Sequence, residues 1–141
     1  MIEIDQACIQ YTNESYIKFE ERKKKIIFRN QNHKDCLKIQ VDGCAIKNGD
    51  KCDNLLKVGK ANQQGYEYYV ELKGEDVGHA LKQIEQTIQT LHNDHSPMMA
   101  FIICTNVSPS LSTKIQQFKS QLKKKYNATL IIKERQLEYT I

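Results

Sequence analysis

The stretch from residue 66 to residue 104 constrains the fold most. Residues 66–73, Tyr-Glu-Tyr-Tyr-Val-Glu-Leu-Lys, are rich in aromatic and branched side chains and end at Gly74, as a strand should. From Asp76, a candidate N-cap, the period changes. Val77, Ala80, Leu81, Ile84, Ile88 and Leu91 then form one apolar stripe of an amphipathic helix. Met98–Cys104 follows as an unbroken apolar run of strand length. Strand, helix and buried strand in that order form a right-handed crossover between parallel strands.

Upstream, residues 25–28 and 36–41 alternate apolar with polar positions, and the Asn-rich residues 30–32 turn between them. The turn dipeptides Asp42-Gly43 and Asn48-Gly49 precede residues 52–58, the next strand candidate, so a hairpin-rich antiparallel region leads into the crossover. Residues 13–25 read as a polar surface helix whose few apolar positions are Tyr16, Ile17 and Phe19. Downstream, Ser110 opens a second helix. Leu111, Ile115, Phe118 and Leu122 face inward from it, and its lysines at 114, 119, 123, 124 and 125 face mostly away. Residues 128–132 form another buried strand and residues 136–141 a closing edge strand. The expected fold is α/β, with a mixed central β-sheet (an antiparallel hairpin meander plus parallel strands) flanked by helices. A chain of 141 residues with 40% hydrophobic content supports one core, so residues 1–141 read as a single domain without repeats or linkers.

No apolar run approaches the roughly 20 residues of a membrane span, and the acidic start Met1-Ile2-Glu3-Ile4-Asp5 lacks the order of a secretion signal. Cysteines at 8, 36, 44, 52 and 104 form an odd set without a C-x-x-C pair, which points to buried free thiols in a reducing, cytoplasmic setting. Cys44 and Cys52, the closest pair, could face each other across a hairpin. The net charge of +4 is compatible with a phosphate-bearing partner, and the basic clusters Arg22-Lys23-Lys24-Lys25 and Lys123-Lys124-Lys125 read as solvated faces.

The two-residue repeat of a strand puts Glu71 and Lys73 on one face, with Cα atoms roughly 7 Å apart, and Val70 and Leu72 on the other. Hairpin pairing with residues 52–58 could bring Asp53 beside Glu71, with Asp42 as the competing acid. Two carboxylates at one point repel unless a cation lies between them, and a hard ion such as Mg²⁺ suits two carboxylates, a carbonyl and waters. The acid-x-Lys triplet occurs twice, at Glu21-Arg22-Lys23 and at Glu71-Leu72-Lys73, and only the second lies on a strand that precedes a long helix.

In this order, Cys52-Asp53, then Val70-Glu71-Leu72-Lys73-Gly74, then His79-Ala80-Leu81-Lys82-Gln83-Ile84, the chain resembles the core of the PD-(D/E)xK, or restriction-endonuclease-like, nuclease superfamily. The resemblance covers about residues 36–104 and rests on short motifs. It implies that Asp53 and Glu71 hold Mg²⁺ or Mn²⁺, that the Leu72 carbonyl assists, and that Lys73 is the catalytic lysine. Gln83 would match the glutamine that many members carry on the following helix. Cys52 stands where the family name has proline, a position that ligates nothing. The family also begins with a helix that often donates a further acid, for which Glu14, Glu20 and Glu21 all qualify.

The expected function is therefore metal-dependent hydrolysis of phosphodiester bonds in nucleic acid, DNA ahead of RNA. A homodimer or a partner protein would supply specificity, since no base-reading module is present. The alternative is an inactive nuclease-like fold serving as a regulatory, immunity or nucleic-acid-binding subunit. His79 reads as a surface or capping histidine, His92 and His95 receive no role, and Tyr66, Tyr68 and Tyr69 read as packing residues.

Overall fold

The structure, a computed structural model, describes residues 4–49, 51–59, 65–72, 77–92 and 96–141. After a 3-10 turn at Gln6–Cys8 come β1 (Ile9–Thr12), β2 (Tyr16–Glu21), β3 (Lys24–Arg29), β4 (Cys36–Gln40), β5 (Asn54–Val58) and β6 (Glu67–Leu72). These lead into α1 (Val77–Leu91), β7 (Met98–Cys104), α2 (Ser112–Tyr126), β8 (Thr129–Glu134) and β9 (Gln136–Thr140). Six strands form a mixed sheet in the order β1-β4-β5-β6-β7-β8, antiparallel from β1 to β6 and parallel from β6 to β8. The crossover read from the sequence is present, and α2 returns the chain from β7 to β8 in a second one. No helix among the described residues is long and apolar enough to cross a membrane.

Both helices pack on one face of this sheet, where Val77, Leu81, Ile84 and Ile88 of α1 and Ile115, Phe118 and Leu122 of α2 meet Leu55, Tyr69, Ala100 and Ile102. The other face carries no helix. A second sheet, ordered β2-β3-β9, covers it, with Ile17, Phe19, Ile26 and Phe28 set against Leu56, Tyr68, Val70, Phe101 and Ile103. Phe28 stands at the middle of this layer, 5.3 Å from the ring of Tyr68 and 5.5 Å edge-on from Phe101. The observed architecture is thus a three-layer α/β/β stack in place of a sheet flanked by helices.

That difference corrects the helix expected over residues 13–25. Ile17 and Phe19 are two positions apart and both buried, while Tyr16, Lys18 and Glu20 between and beside them are exposed, which is the alternation of a half-buried strand. Arg22 and Lys23 take positive φ of 48° and 67° and form the tight turn into β3, where Ile26 and Phe28 continue the inward row. The closing strand β9 also differs from expectation, since it pairs in parallel with β3 of the second sheet and not with the central one. Lys24, in a cluster read as solvated, is buried and donates to the Arg22 carbonyl at 3.2 Å.

The expectation of five free thiols is corrected for two of them. Cys8 and Cys44 form a disulfide that ties the 3-10 turn before β1 to the connection after β4. Cys44 therefore does not face Cys52 as a partner. Cys36, Cys52 and Cys104 are free and buried.

Candidate functional site

Because β6 and β7 run parallel, the edge of the sheet where β6 ends at Leu72 is also where β7 ends at Cys104. Ligand sites of open α/β sheets favour this carboxyl edge. For the antiparallel neighbour β5 it is the starting edge, where Asn54 pairs with Val70. One residue further out, Asp53 comes opposite Glu71. The ladder there is completed by side chains: the Asp53 N–H donates to Glu71 Oε1 at 3.0 Å, and the Leu72 N–H donates to Asp53 Oδ2 at 2.8 Å. Each carboxyl group is thus fastened to the backbone of the other strand.

The register also decides between the two candidate acids. The Asp53 carbonyl accepts the N–H groups of Val41 and Asp42 at 3.0 and 3.3 Å, so the chain on both sides of Asp53 is fixed. Asp42 turns outward and meets Lys51 at 3.8 Å. Glu71 is only 1% exposed, and it shares with Tyr69 the face that α1 covers, while Val70 and Leu72 face the second sheet as the two-residue repeat requires. Lys73, and the candidate cap Asp76, lie outside the described residues.

Helix α1 holds the approach to Asp53 from the other side. Gln83 Nε2 donates to the Lys51 carbonyl at 3.0 Å, and the Cys52 N–H donates to Thr87 Oγ1 at 2.7 Å, whose own hydroxyl donates to the Gln83 carbonyl at 2.8 Å. Gln83 therefore acts on the site by positioning the residues before Asp53. Its Oε1 is buried and accepts no hydrogen bond among the described residues, a condition that a nearby polar ligand or water would relieve. Burial, with a smaller contribution from the charges of Glu71 and Asp53, pushes the Cys52 thiol far up, so it stays protonated and packs as an apolar group.

Burial raises the pKa of Asp53, and the charges of Glu21 and Asp42 raise it further against the lowering effects of the Leu72 N–H and of the hydrogen bond with the Glu71 carboxyl. Of the three acids weighed for the first element, Glu21 is the one whose charge acts on Asp53, and it arrives on β2 and not on a helix. Among the described residues no group of three His, Cys, Asp or Glu side chains is gathered for a metal. A carboxyl raised in the folded state binds its proton more tightly there than in the unfolded chain. Stability then falls as pH rises from the ordinary carboxylate range through the raised value. Asp53→Asn keeps an oxygen for the Leu72 N–H and removes the charge. Its melting temperature at pH 7 should exceed the native one by roughly 2–4 °C, the shift about 1 kcal/mol produces in a chain of this size. At pH 3 the two should coincide in thermal melts, whereas a variant that is less stable at pH 7 would contradict this electrostatic account.

A second polar cluster sits at the opposite end of β6, and reading the sequence had given its histidine no role. His92 Nδ1 lies 2.7 Å from Glu67 Oε1, which also accepts the Tyr69 hydroxyl at 2.9 Å, and Lys57 Nζ lies 3.7 Å from Glu67 Oε2. Glu67 is 1% exposed, so this network ties the end of α1 to the start of β6 around a buried carboxylate. The pairing of Lys57 with Glu67 follows from the hairpin register, but the return of His92 depends on the length of α1. His95 lies outside the described residues. Tyr68 and Tyr69 are buried as packing residues, while Tyr66 is exposed and stacks on Tyr68 at 5.4 Å. Compared with known proteins, the chain matches no family model, no curated protein and no solved structure.

Proposed function

We propose that this chain is a metal-dependent phosphodiesterase acting on nucleic acid, DNA ahead of RNA, built on a restriction-endonuclease-like core. The observation that carries the reading is the mutual engagement of Asp53 and Glu71 at the carboxyl edge of β6. Two carboxyl groups in hydrogen-bonding contact need a shared proton or a cation to offset their repulsion, and burial, the main cause of the raised pKa of Asp53, adds to the cost of leaving both charged. The donor set fits a hard divalent ion, with Asp53, Glu71 and the Leu72 carbonyl offering oxygen ligands only. Mg²⁺ or Mn²⁺ held there would polarise a phosphoryl oxygen and make an attacking water more acidic.

The residues of the chain supply the rest. Lys73 follows Glu71 by two residues in the sequence, and its ammonium would orient the water and offset the negative charge that develops on phosphoryl oxygens. Gln83 and Thr87 hold residues 51 and 52, so the Asp53 carboxyl keeps its place as substrate binds. Specificity is assigned to a second copy or a partner protein. The cytoplasmic setting expected from free thiols keeps the support of Cys36, Cys52 and Cys104 alone, and the Cys8–Cys44 disulfide favours an oxidising setting.

One observation favours a second reading, a nuclease-like fold without activity that serves as a regulatory, immunity or nucleic-acid-binding subunit. Glu71 is almost wholly buried, and a proton shared with Asp53 already makes the pair tolerable without metal. Incubation of DNA and RNA with the native protein and with Lys73→Ala, in Mg²⁺ and in Mn²⁺, separates the two. Metal-dependent cleavage lost in Lys73→Ala supports the nuclease. Equal cleavage by both proteins removes the assigned role of Lys73, and nucleic-acid binding without any cleavage selects the second reading.

A further inference from the structure

Helix α2 carries lysines at 114, 119, 123, 124 and 125 and no aspartate or glutamate, so the charge on this one helix exceeds the +4 of the whole chain. Its inward face is filled by Ile115, Phe118 and Leu122, and Lys114, Lys123, Lys124 and Lys125 are exposed. Lysines in the last turn complement the helix dipole, which accounts for residues 123–125 in part. The dipole gives no reason for Lys114 in the first turn, where a cation is disfavoured, nor for Lys119 one turn before Lys123, where like charges repel. The helix has no acid to relieve either. Lys125 leans over the Tyr126 ring at 5.4 Å, Glu85 of α1 borders the shallow hollow shared by Lys124 and Lys125, and Lys119 is half-buried.

At about 100° per residue Lys124 lies on the outward surface, Lys123 borders it and Lys114 and Lys119 lie on the two flanks, while Ser112, Thr113, Gln116, Gln117 and Ser120 line a second shallow hollow there. Lysine, amide and hydroxyl groups without acids are the chemistry that proteins set against phosphate oxygens of nucleic acid. Fifteen helical residues extend about 22 Å, enough to follow roughly three successive phosphates of one strand. The topology sets the first turn of α2, with Lys114, toward the candidate centre and Lys123, Lys124 and Lys125 at the far end of the helix. β7 ends at the same sheet edge as β6, so α2 starts at the edge that carries Asp53 and Glu71 and runs away from it.

We infer that the outward face of α2 binds the phosphodiester backbone of nucleic acid without reading its sequence, and so aligns a duplex with the carboxyl edge of β6. The inference rests on the nucleic-acid reading of the chain, but it needs no cleavage. Its test is binding of a labelled mixed-sequence DNA duplex to the full chain in EDTA, between 50 and 200 mM NaCl, followed by fluorescence anisotropy. Replacing Lys114, Lys119, Lys123 and Lys124 by Gln should reduce the slope of log K against log salt by about 3–4 and weaken binding more than about tenfold. The same four positions changed to Arg should bind like the native protein, and both variants should keep the native melting temperature to within a few degrees. A Gln variant with the native slope overturns the inference, as does a native protein that binds vesicles of phosphatidylglycerol but not the duplex. Glu71→Gln separates this result from the nuclease reading. If no protein cleaves yet the Gln variant loses duplex binding, the surface stands and the nuclease fails. If native protein cleaves and the Gln variant binds and cleaves equally well, the surface alone is wrong.

Discussion

Glu71→Gln should lower Mg²⁺- or Mn²⁺-dependent cleavage by about three orders of magnitude, equivalent to about 4 kcal/mol of transition-state stabilisation, while the protein stays folded. Glutamine retains an oxygen in the place of Oε1, so it can still accept the Asp53 N–H that joins the two strands. What it removes is one of the two negative charges that make a divalent ion favourable at the edge of β6. Lys73→Ala should cost about two to three orders by a different route, leaving metal uptake intact but the water unoriented. Because both residues serve one reacting centre, the double variant should be little worse than Glu71→Gln alone. Gel-based or fluorogenic cleavage assays at matched protein concentration read these losses. Undiminished activity in Glu71→Gln would mean that the chemistry, if any, resides elsewhere.

Loss of the Cys8–Cys44 disulfide should lower stability by about 4 kcal/mol and the melting temperature by roughly 10 °C. The magnitude comes from the 36-residue separation of the two cysteines, a loop that the unfolded chain must keep closed while the bond exists. Melts of the native protein with and without a dithiol reductant, and of the Cys8→Ser, Cys44→Ser double variant, should agree with each other. A shift below about 3 °C would show that the bond constrains little. The loss should reach the candidate centre too. Cys44 donates to the Val41 carbonyl at 3.2 Å, and Val41 and Asp42 donate to the carbonyl of Asp53, so the bond anchors the segment against which Asp53 rests.

How far the sequence foretold this arrangement depends on the range of the interactions involved. The unit β6-α1-β7 was legible because its signal is local: a run of branched and aromatic residues, then a stripe at helical spacing, then an apolar run. The choice of Asp53 over Asp42 needed the hairpin register, and the pairing of Asn54 with Val70 supplies it. Strand β2 reads as a helix because its inward row, Ile17 and Phe19, is short and the turn into β3 uses Arg22 and Lys23 where asparagine and glycine would have signalled it, whereas β3 itself is legible over residues 25–28. Its cover, β9, pairs Lys25 with Gln136, a contact with no trace in either local sequence. The disulfide was hidden for the same reason, since an odd cysteine count and spacing say nothing of which two side chains meet.

Central to the whole reading is that the fold forces Asp53 and Glu71 together so that a hard cation binds between them. Calorimetric titration of Mn²⁺ into the native protein, Asp53→Asn and Glu71→Gln at pH 7 addresses this directly. The account predicts saturable uptake by the native chain and none by either variant. Native protein that takes up no ion, or variants that bind it as the native chain does, would contradict it.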